Sequence, residues 1–204
     1  FKPSDTKDLR NLAIARLGFS LMQPTEGGRI GPAISKAGQQ LTSDLMQIKQ
    51  AQKKEQKAEL AEEELQVALK QQIDQGLVAV ERIEDKVIVT VGAGGAFPSG
   101  SAELTNEAKE IMSQIANVSA DGTSTIDVSG HTDNVPLIFG SRFRDNWDLA
   151  AARASSVVQS LESTKLVSAD RMQAVSFGES QPVETNDTAA GRAKNRRIEI
   201  VINY

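Results

Sequence analysis

The spacing of apolar residues changes near residue 80, from a helical period to short β-branched runs that alternate with helical stretches. In the first part, Leu9, Leu12, Ala13 and Leu17 share a face and predict a short helix that stops near Gly18. Pro24, Gly27, Gly28, Gly31 and Pro32 then read as loop. From Ser35 to Gln75 the sequence favours helix throughout, with no Pro and Gly38 as its one glycine. Leu41, Leu45 and Ile48 lie on one face of it, and Leu65, Leu69 and Ile73 resume one, but residues 49–64 between them are nearly all polar. A Lys block (Lys49, Lys53, Lys54, Lys57) is followed by a Glu block (Glu59, Glu62, Glu63, Glu64), and no opposite charges meet at i,i+3 or i,i+4. Like-charged pairs such as Lys53/Lys57 and Glu59/Glu63 each cost a few tenths of a kcal/mol. The expectation is a solvated spacer helix, neither a coiled coil nor a packed core helix.

After residue 80 the pattern predicts an α+β fold, an α/β sandwich with helices on one face of a sheet. Residues 86–91 read as a strand. Thr105 caps a helix in which Ala108, Ile111, Met112, Ile115 and Val118 recur at helical spacing. Residues 124–129 form a second strand, and a long loop with Pro136 and Gly140 follows. Asp145 or Asn146 caps the next helix, which runs to about Ser163 and buries Ala150, Ala154, Val157, Val158 and Leu161. Residues 171–177 form a third strand, residues 178–195 are mostly loop, and residues 197–203 form a last strand in which Ile198, Ile200 and Ile202 alternate. The chain thus divides into an N-terminal linker segment with a short helix (1–34), a polar helical spacer (35–80) and a folded domain (81–204).

Composition removes several classes of function. The 204 residues include one His and no Cys, so the chain offers no disulfide framework, thiolate nucleophile, Cys-based zinc site or multi-histidine metal centre, and no cofactor is expected. A net charge of −4 argues against nucleic-acid binding, which needs a field of Lys and Arg. The acidic surplus lies in the folded part: residues 1–80 carry 11 basic and 10 acidic groups, residues 81–204 carry 12 and 17. No apolar run approaches the roughly 20 residues that span a bilayer. The chain begins at Phe1 without a signal-peptide pattern, which reads as a mature product or a cloned fragment.

Three motifs and one lone arginine invite chemistry. The segment Gly92-Ala-Gly-Gly-Ala-Phe97 follows a strand but lacks both a dinucleotide fingerprint and a Gly-Lys-Ser/Thr, so a flexible connection is the better reading. His131-Thr132-Asp133 sits at a strand end, where ligand-facing groups gather, and binding suits it better than catalysis. Arg192, Lys194, Arg196 and Arg197 read as a solvated basic loop entering an edge strand. Arg153 is the most informative, because it lies on the edge of its helix's apolar stripe. Either its stem snorkels along apolar surface, or its planar fork is aimed at an anion. With Asp133 it could bracket a zwitterion, the carboxylate holding an ammonium and the guanidinium a carboxylate.

These residues carry a family likeness. Gly130-His-Thr-Asp-Asn134, Asn146-Trp-Asp-Leu-Ala-Ala-Ala-Arg-Ala154, Gly191-Arg-Ala-Lys-Asn-Arg-Arg-Ile-Glu199 and the segment from Phe97 to Leu104 occur in order and resemble the OmpA-like peptidoglycan-binding domain. The resemblance covers about residues 81–204 and implies a β-α-β-α-β-β sheet with helices on one face. It also implies that Asp133 and Arg153 hold the diaminopimelate of a peptide stem, with Thr132, Asn146 and Arg196 as supporting contacts and no catalysis. The long spacing from Asp133 to Arg153, the Asn-Val-Pro that opens it and the Asn-Trp-Asp-Leu that closes it resemble flagellar motor stator B subunits of the MotB/PomB family, the sodium-driven PomB branch fitting better. Ala150 departs from the Ser often found there. The resemblance implies a periplasmic domain of a single-pass inner-membrane protein, a homodimer with a stator A subunit and basal-body ring proteins as partners. A wall-anchoring outer-membrane protein or lipoprotein unrelated to motility would share the domain but not the insert or the spacer.

Overall fold

Alternation along three central runs builds the sheet. In the computed structural model, which describes residues 30–138 and 141–204 and side chains from Thr42 onward, Val87, Val89 and Val91 of β2 (Lys86–Gly92) are buried. So are Ile126 and Val128 of β3 (Thr125–His131) and Ile198, Ile200 and Ile202 of β5 (Arg197–Asn203). With β1 (Val78–Ile83) and β4 (Met172–Gly178) these strands form one sheet in the order β1-β2-β5-β3-β4. Every pairing is antiparallel except β3 with β4. Register makes the inner face continuous: Val89 lies opposite Ile200, and Ile200 opposite Val128. The same pairing sends Thr90, Glu199 and Ser129 to the other face, where they are half-buried.

Helices cover the inner face. Thr105 caps α4 (Asn106–Val118) by accepting a hydrogen bond from the Ala108 amide at 3.1 Å, and the buried Ala108, Ile111, Met112 and Ile115 follow at helical spacing. Asp145 caps α5 (Asn146–Ser163) through the Asp148 amide at 2.8 Å, and Ala150, Ala154, Val157 and Leu161 face the core. Helix α5 comes unusually close to β3 because position 130 is glycine: a Cβ there would stand 2.3 Å from the Ala150 carbonyl oxygen. Short helices α3 (Ala93–Ala96) and α6 (Ala189–Asn195) shape the two connections that sequence patterning left as loop.

Three further features depart from the sequence expectations. Strand β1 was not anticipated. It pairs with β2 through a tight turn in which Glu84 adopts φ 56°, and its exposed Ala79, Glu81, Arg82 and Ile83 hide the alternation. Strand β5 is central, not an edge strand, so charge at its start does not guard a free edge. The long helix α1 (Ile30–Ala68) includes Gly31 and Pro32, and proline is tolerated in a first turn because its amide has no partner there anyway.

The chain clusters into two compact units, residues 1–56 and 57–204. In the first, the described residues are helical, and Ile48 is buried. In the second, the expectation of an unpacked spacer is corrected. Ala58, Ala61, Leu65 and Leu69 join the core cluster, and Ile73 of the short helix α2 (Lys70–Asp74) packs against it. Burying a leucine such as Leu65 contributes about 1.5–3 kcal/mol. Two of the charges that lack local partners find distant ones: Lys57 Nζ lies 2.6 Å from Asp121 Oδ2 and Glu62 Oε2 lies 3.1 Å from Arg82 Nε. Burial would raise the Asp121 carboxyl, but hydrogen bonds from Lys57 and Thr123 outweigh it and hold it below the usual carboxylate range. The helix expected around Leu9 to Leu17 and the loop glycines Gly27 and Gly28 lie outside the described residues. Among the described residues no helix is long and apolar enough to cross a membrane.

Candidate functional site

Past its last ladder pair, β3 runs into a segment fixed by its own polar groups. The Thr132 amide donates to the Gly178 carbonyl at 2.9 Å, which carries the β3–β4 pairing forward. Asp133 Oδ1 accepts from the Val135 amide at 3.1 Å and turns the chain. Asn146, the first residue of α5, donates Nδ2 to the carbonyls of Asp133 at 3.2 Å and Val135 at 3.1 Å. The start of the insert is thereby tied to the start of the helix that carries Arg153.

Arg153 points from α5 into a cavity of about 750 Å³ and is only 5% exposed. Its Nε donates to the Ser101 carbonyl at 3.0 Å, and the guanidinium carbon sits 5.0 Å from the centre of the buried Phe97 ring. These contacts hold the planar group in one orientation. Among the described residues no acceptor lies within hydrogen-bonding distance of its terminal nitrogens. Burial lowers its pKa to about 10, with the neighbouring Arg196 acting in the same sense and Asp133 opposing. The group is charged at neutral pH but poorly solvated, a state that an incoming anion relieves.

Asp133, Thr132, Asn146 and Arg196 line the same cavity, so all five residues singled out from the sequence meet there. Arg196 Nη1 lies 2.5 Å from Asp133 Oδ2. Both Asp133 oxygens therefore already have partners, one from the backbone and one from a side chain that is 41% exposed. The Thr132 hydroxyl is buried and has no hydrogen-bond partner among the described residues. Sequence reasoning passed over Phe97 as a floor for Arg153, and over Arg142 and Arg192 as lining residues. Arg192 had been grouped with a solvated basic loop, and its half-burial comes from the cap of α6 by Thr188 and from its own bond to the Asn186 carbonyl at 2.8 Å.

Two neighbours do not belong to the site. His131 is 1% exposed and stacks on Phe177 with centroids 5.2 Å apart, away from the cavity, because residue alternation turns it to the opposite sheet face from Gly130. Burial, helped by Arg197, lowers its pKa to about 4 against a smaller upward pull from Glu199, so it is neutral at pH 7. Arg197, expected in a solvated loop, is buried and bonds Glu199 Oε1 at 2.7 Å through Nε.

Known proteins resemble this chain in sequence and fold. Residues 96–196 match the OmpA family. Motility protein B of Bacillus subtilis is 36% identical over 117 residues, which are 57% of this chain and 44% of that protein. The chain thus spans about half the length of the curated relatives it matches. The cell wall anchor of the T6SS from Pseudomonas aeruginosa superposes with a TM-score of 0.61 at 34% identity, covering 68% of this chain and 96% of that one. The periplasmic domain of Helicobacter pylori MotB (residues 90–256) gives 0.56 at 27% identity, covering 62% and 78%. Families of this type are structural and non-catalytic, which sets aside acid–base work by His131-Thr132-Asp133. The chain belongs to the OmpA family, and its domain is of the kind that MotB proteins carry.

Proposed function

We propose that residues 57–204 are a non-covalent peptidoglycan anchor in the periplasm, the wall-gripping part of a flagellar stator B subunit. The observation that carries this reading is Arg153: a buried, oriented guanidinium with terminal donors facing a cavity beside a carboxylate. Diaminopimelate presents the complementary pair, a carboxylate for Arg153 and an ammonium for Asp133. Because Arg196 already pairs with Asp133, the ammonium shares that carboxylate or displaces Arg196, whose exposure leaves it room to move. Similarity to Motility protein B and to the MotB periplasmic domain supports the motor assignment over a wall anchor unrelated to motility. The sodium-driven branch, the homodimer, the inner-membrane attachment to a stator A subunit and the contact with basal-body rings belong to the same proposal and rest on the sequence likeness.

Co-sedimentation with purified sacculi tests it. Each charge-assisted contact is worth about 1.5–3 kcal/mol, so Arg153→Ala and Asp133→Ala should each abolish retention while circular dichroism stays native. Undiminished retention of both variants would reject the site. Release of muropeptides by the wild type would point to a hydrolase instead.

A further inference from the structure

The chain as a whole is acidic, yet its cavity is not. The described lining contains four arginines, Arg142, Arg153, Arg192 and Arg196, against the single carboxylate of Asp133, a formal surplus of three positive charges inside a protein of net charge −4. The zwitterionic end of diaminopimelate, with one carboxylate and one ammonium, leaves that surplus untouched. A cavity that holds excess charge of one sign in partly dehydrated surroundings favours a ligand of the opposite sign.

The four arginines differ in what already engages them. Arg196 is paired with Asp133, and Arg153 spends only Nε on protein. Arg192 is half-buried and anchored through Nη1 to the Asn186 carbonyl, a bond that fixes the guanidinium without neutralising it. Arg142 stands exposed on the insert. Two held guanidinium groups, Arg153 and Arg192, therefore present charge whose hydrogen bonds among the described residues go to backbone carbonyls and not to a carboxylate.

We infer that the site is a receptor for a ligand with at least two carboxylates, in which Arg153 takes one and Arg192 the second, so that it selects peptide stems whose carboxylates are not amidated. Resting on the anchoring role proposed above, the inference adds a discrimination that role does not require. An N-acetylated stem tetrapeptide, L-Ala-γ-D-Glu-diaminopimelate-D-Ala, carries three free carboxylates and one ammonium, a net charge opposite in sign to the cavity's. Amidation at the D-Glu α-carboxyl or at the diaminopimelate side-chain carboxyl removes one negative charge with almost no change of shape.

The test is calorimetric titration of the chain with this tetrapeptide, its two singly amidated forms and the doubly amidated form. Each single amidation should weaken binding about tenfold or more, as expected for loss of a charge-assisted hydrogen bond. In Arg192→Gln the penalty for one of the two amidations should vanish while the other persists, and Arg192→Lys should restore part of it. A merely structural role for Arg192 would lower all affinities together and leave the ratios intact, which overturns the assignment. Equal binding of free and amidated peptides overturns the inference and leaves the anchor standing. So does retention on sacculi with no measurable binding of any tetrapeptide. If sacculi are not retained either, the anchoring role itself fails and this selectivity falls with it.

Discussion

Two charged clusters lie a few residues apart at the same end of the sheet, and they have opposite characters. Around Arg197 every guanidinium nitrogen is used: Nε bonds Glu199 Oε1 at 2.7 Å and the terminal nitrogens reach the Gln181 and Asn195 carbonyls at 3.3 Å, while His131 beside it is sealed beneath Phe177 with neither ring nitrogen hydrogen-bonded among the described residues. Around Arg153 one donor is used and the terminal nitrogens face a cavity. Both arginines are about 5% exposed, so burial does not separate them. Saturation does. A buried charge whose partners are all supplied by the protein is a structural element, whereas one left partly unsatisfied beside empty space awaits a ligand.

Breaking the saturated cluster should cost the most stability. Arg197→Leu leaves Glu199 and two carbonyls without their donor. Loss of one partner of a buried pair costs about 3–5 kcal/mol, and the partial exposure of Glu199 argues for the lower end. Urea denaturation should show that loss, while Arg153→Ala at the other cluster should move the midpoint far less than it moves sacculus binding. A pH series sharpens the contrast. The His131 pKa, near 6.5 in an unfolded chain, falls to about 4 in the fold, so the unfolded state takes up protons first on acidification. The stability contributed by neutral His131 is complete above pH 6.5 and is lost as the pH falls towards 4. Denaturation between those values should reveal the slope, and His131→Phe, which keeps a ring on Phe177, should flatten it. The smallest effect belongs to Lys57. Asp121 is depressed in the fold, so its contribution is present above the usual carboxylate range and is lost as the pH falls below it. With both side chains about one-third exposed, Lys57→Met should cost under about 1 kcal/mol at pH 7 and raise the midpoint of acid unfolding.

Much of this was legible in the chain. The Ile-x-Ile-x-Ile of residues 198–202 and the valines of residues 87–91 declare their strands, and Thr105 and Asp145 declare the starts of α4 and α5. Asp133 and Arg153 stood out because each sits at the edge of an otherwise apolar pattern. Strand β1 escaped because an edge strand with one sequential partner has only Val78 buried, and its turn carries Glu84 where glycine or asparagine would have signalled φ above zero. The packed face of α1 escaped because Ala58 and Ala61 contribute little hydrophobicity, although their small size suits close packing on the core. Arg197 misled because residues 196 and 197 are both arginine, and only the central place of β5 decides that one meets the cavity while its neighbour is locked into the opposite face.

The glycine at position 130 has a consequence for anyone who would move this binding function elsewhere. Arg153 reaches its place because the backbone of Ala150, one turn earlier in α5, nearly touches β3. Grafting only the residues that face the cavity onto another scaffold would leave that helix riding too high and the guanidinium misaimed. A successful transplant has to carry an atom that is not there, the missing methyl of a residue that never meets the wall.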